Sequence, residues 1–561
     1  MNLMKKSTLL LFSGLLFGLS SFAQDTTQKK FPLSVNGSIQ SDILFPEEDK
    51  AIGAVAYDEF ARTNTYADVN IMNRYVEAGT RFEFLKYPLP GYEPDFGGWG
   101  FPFFYLTGKY KSLKMTIGDF YDQFGSGFIF RTYQERSLGI DNALRGVRLV
   151  FEPYKGIQLK ALGGKQRRYF DLNDSFVWGA DLELNVEQWL KSFRESNTYL
   201  TFGGSYVGKH EKEDVVLIDP THRLRFPENI GAFDFRMQLR KGDYSFLTEY
   251  ALKVNDPSFD NKYIYKNGSA LMFSGSYSKR GVSVLLQAKR SDNMSFRSRR
   301  AISGTSSFIN HLPAFALQHT YALAAFYPYA TQPDGEWAFQ GSFGYTFQRK
   351  TALGGKYGTT LKANVSYIRP IDKQYIDGFD PNSSATSMSV AGTDGYTSSF
   401  FKFGDELYYQ DINFSIDKRI TSDFKLHFMY MNQHFNDIVR GHAGRMIRSN
   451  IFVLDMNYKL NKNYTLRSEL QYLHTKQDEG NWAYALLELS MFSRFMFTLS
   501  DMYNAGATKQ HYYKALVTFS HKSHLLSAGY GRTREGLDCS GGICRMVPAT
   551  KGFQIAYNYN F

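Results

Sequence analysis

Hydrophobic and polar positions alternate along this chain with a period of two. In Gly231–Arg240, Phe233, Phe235, Met237 and Leu239 fall on one side, and Asp234, Arg236 and Gln238 on the other. After Arg240-Lys241-Gly242-Asp243 the pattern resumes, with Tyr244, Phe246, Thr248, Tyr250 and Leu252 set against Ser245, Glu249 and Lys253. Trp337–Gln348, Phe424–Tyr430 and Phe452–Leu460 repeat it. The last residues repeat it again: Phe553, Ile555, Tyr557, Tyr559 and Phe561 alternate with Gln554, Ala556, Asn558 and Asn560. Successive side chains of a strand point to opposite faces, so this period predicts strands with one apolar and one polar face.

Some twenty such segments, rich in aromatic residues, point to a single large antiparallel transmembrane β-barrel and an all-β fold. Counting back from Phe561 gives about 24 strands, within a range of roughly 22–26. Short connections are expected near Lys111-Ser112, Pro153–Gly156, Lys241-Gly242, Lys279–Gly281, Ile420–Asp423, Leu460–Asn463 and His521–Ser523. Longer ones are expected at Lys165–Ser175, Gly208–Glu228, Val254–Gly268, Ser291–Gly335 and Pro370–Glu406. Short periplasmic turns and long extracellular loops are the barrel pattern, with both termini periplasmic. Thr65–Phe84 is split into two strands near Asn73. The tail ending at Phe561 resembles the terminal strand signal read by the barrel assembly machinery, and it should pair with the segment near Leu33–Ile43.

Composition sharpens this picture. Phe 49, Tyr 39 and Trp 5 make the chain 17% aromatic, enough for a lipid-facing band and girdles at both interfaces. Mean hydropathy is −0.36, as alternating strands produce by averaging. The first 23 residues carry Lys5 and Lys6, an apolar run from Leu9 to Leu19, and Ser21-Phe22-Ala23. That is a cleavable secretory signal peptide, with an apolar run too short for a spanning helix. The expected organisation is therefore 1–23 signal peptide, 24–31 short N-terminal segment and 32–561 barrel. The segment 24–31 is too short for a plug domain, which argues against a TonB-dependent transporter. The formal charge of +11 falls to +9 without Lys5 and Lys6. We assign the surplus to anionic lipid or lipopolysaccharide phosphates, not to nucleic acid.

The expected lumen face is polar with both signs present, including Asp181, Glu183, Arg236, Glu249, Lys289, Lys362, Asp417, Asp455, Arg467 and Glu469. Charges are tolerated inward and costly outward. The long segments Ser291–Gly335 and Pro370–Glu406 could fold into the lumen or decorate the surface.

One stretch does not read as plain strand and turn. Thr116-Ile-Gly-Asp-Phe-Tyr-Asp-Gln-Phe-Gly-Ser-Gly-Phe-Ile-Phe-Arg131 is followed by Glu135-Arg136-Ser-Leu-Gly-Ile-Asp-Asn-Ala-Leu-Arg145-Gly-Val-Arg148. Asp119, Asp122, Glu135 and Asp141 are interspersed with Arg131, Arg136, Arg145 and Arg148. Arginine forks pair bidentately with carboxylates, so these residues could brace an inward-folded loop. Alternatively they form a constriction that grips an anionic solute. Cys539 and Cys544 are the only cysteines, and an even pair in an exported chain reads as a disulfide closing a small external loop. A metal site is the alternative, but two thiolates without a nearby His fall short of four ligands. No cofactor is expected.

The Gly118–Gly127 stretch, together with Cys539-Ser-Gly-Gly-Ile-Cys544-Arg-Met-Val-Pro-Ala, resembles an uncharacterised family of outer-membrane barrels from Bacteroidota-type bacteria. The resemblance runs from about Gly79 to Phe561. It implies fold and cell outer-membrane location, and brings no substrate, catalytic residue or partner.

No H-E-x-x-H, G-x-S-x-G or P-loop pattern occurs. His311, His319, His434 and His442 fall in or near expected external loops, where Ser and Asp are abundant. A hydrolase is thus the weakest expectation, and the chain is read as a non-enzyme. The leading expectation is a porin-like passive channel for small solutes. The alternative is a structural or assembly barrel whose lumen is filled by its loops or by a periplasmic or surface partner.

Overall fold

Strand Thr550–Asn560 hydrogen-bonds on one side to His524–Thr533 and on the other to Ser34–Pro46. The first and last strands thereby close a 24-stranded antiparallel sheet into a barrel. The expected pairing of the tail is found, in register from Ile39 opposite Tyr559 to Phe45 opposite Phe553. The computed structural model describes residues 33–217, 220–376, 390–441 and 444–561. The expected signal peptide, the 24–31 segment and His442 lie outside these residues. No helix among the described residues is long and apolar enough to cross a membrane.

Register sets which side chains face out. Phe553 lies opposite Phe45 and Tyr530, and Tyr557 opposite Leu526, so the tail's aromatic row belongs to an apolar outer face. Phe561 and Gly37 exchange backbone hydrogen bonds at 3.0 Å each. A Cβ on Gly37 would lie 2.5 Å from the Phe561 ring, so only glycine leaves that ring its place. Around the wall, outward residues such as Phe235, Leu286 and Leu499 are about 60% exposed and form an apolar outer band of the kind membrane barrels present to lipid. Closure leaves no unpaired strand edge.

Eleven connections lie at the end that carries both chain termini, here the turn end, and twelve at the opposite, loop end. The strand break near Asn73 is found, between Arg62–Met72 and Val76–Leu85. Two turn-end connections are longer than expected. Residues 186–197 hold the 3-10 turn Val186–Gln188 and the helix Lys191–Glu195, and residues 348–358 form an extended turn. At the loop end, Lys165–Ser175 is not a long loop. Strands Ile157–Arg168 and Asp171–Asn185 leave only Tyr169 and Phe170 between them. The polar residues that suggest a loop there face a polar interior, where Asn173 donates to Ser298 and Ser307 at 2.7 and 3.0 Å.

The two longest loops go to opposite sides of the wall. Hairpin Ile371–Tyr375 with Tyr396–Phe403 covers Trp337, whose ring packs edge-on to Phe400 and Phe403. Trp337 alternates with Glu336 and Ala338, which face inward and are fully buried, so this hairpin lies on the outer face. Residues 293–334 go inside.

Candidate functional site: the occupied lumen

The segment 121–143, between strands Leu113–Phe120 and Leu144–Tyr154, turns into the barrel. Its tip is a tight bend in which Phe124 N–H donates to Phe130 C=O at 3.1 Å and Gly127 N–H to Phe124 C=O at 2.9 Å. Gly125 and Gly127 have φ of 51° and 98°, the left-handed region where side chains are strained. Ser126 N–H donates to the Glu249 carboxylate at 3.0 Å, which fixes the tip against the inner wall. Phe124, Phe128, Ile129 and Phe130 are completely buried.

The segment 293–334, between strands Val282–Asp292 and Gly335–Phe347, crosses the lumen. On one side its carbonyls accept from wall lysines: Lys253 to Ser295 at 2.5 Å and Lys209 to Arg297 at 2.9 Å. Lys209 also pairs with Asp256 at 3.0 Å, and Arg297 with Asp260 at 2.6 Å. On the far side, His319 meets Asp411 at 2.7 Å and Tyr321 donates to Asp455 at 3.2 Å. Further along, Leu323 N–H reaches Gln471 at 2.8 Å, and Tyr327 donates to Asp478 at 2.9 Å. One segment is thus tied to walls from Lys209 round to Gln471.

The two segments also hold each other. His311 N–H donates to Gly127 C=O at 2.9 Å, and Arg131 N–H to Ile309 C=O at 2.8 Å. The Asn310 side chain donates to Phe128 C=O and Met294 C=O at 3.0 and 2.8 Å. Around them the inner wall is apolar, with Val177, Val207, Ala232, Met431 and Ile451 fully buried in the same core as Phe124, Phe296 and Phe326. The lumen face, expected to be polar with both signs present, is therefore polar only in part. A fully buried Phe contributes about 1.5–3 kcal/mol, so Phe124, Phe128 and Phe130 together match a large part of a domain's usual net stability of about 5–15 kcal/mol.

Charged residues expected in the lumen form networks within it. Arg236 binds Asp181 at 2.6 Å, Glu183 at 2.9 Å and Asp234 at 3.1 Å. Arg467 bridges Asp455 and Glu469. Lys289 pairs with Glu336 at 2.8 Å and donates to Pro313 C=O at 2.5 Å.

The eight residues singled out around the 121–143 segment divide into two groups. Asp119 pairs with Arg145 at 2.9 Å, and Asp122 with Arg148 and, at 3.2 Å, Lys160. These pairs lie at the base, where the segment leaves the wall. Arg136 instead pairs with Asp68 at 2.7 Å and lies 4.3 Å over the Tyr66 ring. Asp141 receives Arg81 at 2.8 Å and Arg167 at 2.6 Å. Glu135 caps Ser137 and accepts from Ser540 at 3.3 Å, while Arg131 lies 4.5 Å over Tyr133. Arg167 also pairs with Glu83 at 2.8 Å. Asp68, Arg81, Glu83 and Arg167 were not among the residues singled out from the sequence. Their signal was available, since Glu77, Arg81 and Glu83 sit on one side of the strand Val76–Leu85, in alternation with Ala78, Phe82 and Phe84.

Cys539 and Cys544 form a disulfide across the hairpin Gly536–Ser540 with Ile543–Val547. This hairpin covers the inserted segments. Thr331 N–H donates to Gly542 C=O at 2.9 Å, and Gln318 to Cys539 C=O at 2.9 Å. The Arg534 guanidinium lies 3.5 Å over Phe326. No group of three or more His, Cys, Asp or Glu able to hold a metal occurs among the described residues.

Solved structures with a similar fold include the P pilus usher (PapC) translocation pore, at 8% identity and a TM-score of 0.44 over 94% of this chain and 99% of that one. OccAB3 of Acinetobacter baumannii aligns at 10% identity and 0.35, over 94% and 99%. The siderophore receptor PirA of Pseudomonas aeruginosa aligns at 10% and 0.39, over 96% and 81%. No curated protein matches the sequence. The model of a family of unknown function, DUF6029, matches residues 4–561, and the chain belongs to that family.

Proposed function

We propose that this protein is an exported outer-membrane barrel, closed at rest by its own two inserted segments, that serves as a structural or assembly barrel. The observation that carries this reading is the buried apolar core shared by Phe124, Phe128, Phe130, Phe296 and Phe326 with the inner wall. A solute path lined for water has no use for aromatic side chains packed to full burial, whereas a permanent plug depends on them. In this reading Asp119, Asp122, Arg145 and Arg148 brace the base of one segment. Arg136 and Asp141 fasten it to the wall, and no residue is catalytic. Its partners are the surrounding lipid and lipopolysaccharide, the assembly machinery during biogenesis and a periplasmic or surface protein.

The porin-like channel is the second reading. It is favoured by the part of the lumen nearer the turn end, where Lys362 and Asp417 pair at 3.1 Å with side chains 62% and 41% exposed. Swelling of proteoliposomes in small sugars separates the two. The closed barrel leaves swelling at the level of empty liposomes, and a standing channel accelerates it.

A further inference from the structure

Positive charge is concentrated in the connections of the turn end. Its eleven connections total 47 residues and hold twelve Lys and Arg against four acids, Glu187, Glu195, Asp243 and Asp423. That surplus of eight is most of the chain's formal +11. Arg74, Lys111, Lys155, Arg280, Lys462 and Lys522 each stand in a different turn, and all are exposed. No described carboxylate pairs with any of them. Exposed cations repeated around one rim set up a positive potential there that attracts anionic surfaces.

The level of this ring identifies the surface. Outward-facing aromatic residues end the strands just inside it: Tyr110, Tyr244, Tyr345, Tyr458 and Phe495 are 67%, 65%, 37%, 47% and 40% exposed. Aromatic residues of a barrel mark the membrane interface. Tyr110 precedes Lys111, Phe495 follows Arg494, and Lys462 is four residues from Tyr458. At about 3.4 Å per residue, the cations reach the depth of lipid phosphates. Lysine and arginine stems at such positions extend their charged ends to the headgroups.

We propose that this ring binds anionic phospholipid headgroups of the leaflet at the turn end, an interaction that rests on the membrane-spanning part of the functional reading. Polybasic surfaces beside a bilayer gain affinity with each added cation and lose it with salt. The occupant is lipid and not an acidic protein, because the cations stand in nine of the eleven turns, spread around the barrel beside the aromatic girdle and not gathered on one side.

The test inserts the full chain into phosphatidylcholine vesicles with a minor fraction of phosphatidylglycerol. The protein is excised with its neighbouring lipid in polymer nanodiscs, and that lipid is analysed. A variant replaces Arg74, Lys111, Lys155, Arg280, Lys462 and Lys522 with Gln, all in exposed turns. Phosphatidylglycerol is expected severalfold enriched around the wild type, and at the bulk fraction around the variant or in high salt. Bulk composition around an inserted wild type, or undiminished enrichment around the variant, overturns the proposal alone. Failure to insert into any vesicle overturns the membrane reading with it. Salt-sensitive capture of polyglutamate without lipid enrichment reassigns the ring to an acidic protein partner and also overturns it.

Discussion

The backbone N–H of His311 donates to the carbonyl of Gly127 at 2.9 Å. That bond joins two inserted segments that leave the wall at strands far apart in sequence. Around it, Asn310 bridges Phe128 and Met294, and Arg131 reaches Ile309. The two segments therefore behave as one plug, and loosening this junction should expose both.

Asn310→Ala leaves the carbonyls of Phe128 and Met294 without their buried donor. An unsatisfied buried group costs about 1–3 kcal/mol. Amide hydrogen exchange in 124–131 and 294–312 should accelerate together, while the strand Thr550–Asn560 keeps its protection. Acceleration in one segment only would show that the two are not coupled.

Phe128→Ala removes a fully buried ring from the shared core, a change that costs about 3–5 kcal/mol. The expected result is new protease cleavage within 121–143 and 293–334 of an otherwise folded, heat-modifiable barrel. Unchanged protease resistance would mean the core does not hold the plug.

The barrel itself was legible in the sequence because strand alternation is local. Each outer face needs lipid-soluble side chains whatever the interior holds, so Phe553–Phe561 could be assigned and the closing pair inferred. The occupied lumen was less legible because it depends on contacts between residues far apart, such as Tyr321 with Asp455. A signal did exist. Phe428-Met-Tyr-Met431 and Ile451-Phe-Val-Leu454 are apolar at successive positions, as strands buried on both faces are. Read strictly with a period of two, they lose their inward half. The charge pairs within 116–148 were partly visible from spacing. The wall partners Asp68, Arg81 and Arg167 come from other strands and needed the closed sheet.

The disulfide hairpin should act on one part of the plug. Cys539→Ser with Cys544→Ser frees the chain between them, and a closed loop of this small size contributes about 2 kcal/mol. Faster exchange is expected around Gln318 and Thr331, which bond to the hairpin, with little change around Phe128. Uniform loss of protection would assign the disulfide a role in the whole barrel.

His311 gives the plug a pH dependence. Burial pushes its pKa down to about 3, with repulsion from Arg131 and Lys289 adding to the effect. The unfolded residue titrates near its ordinary 6.5. Between those values the unfolded segment binds a proton that the folded one does not, so stability rises with pH. The contribution is complete above pH 6.5 and is lost as pH falls toward 3, by at most about 1.4 kcal/mol per pH unit. Proteolysis of the plug should increase on acidification from pH 7 to 5, and His311→Gln should flatten that profile. An equal increase in both proteins would assign the dependence to other groups.

The most direct test of the closed barrel is single-channel recording in planar bilayers. The full chain is compared with a variant in which 295–332 is replaced by a short Gly-Ser linker and Phe124, Phe128 and Phe130 by Ser. The wild type should insert without steady conductance, and the unplugged variant should open stable channels on the order of a nanosiemens. Stable channels of that size from the wild type would contradict the account.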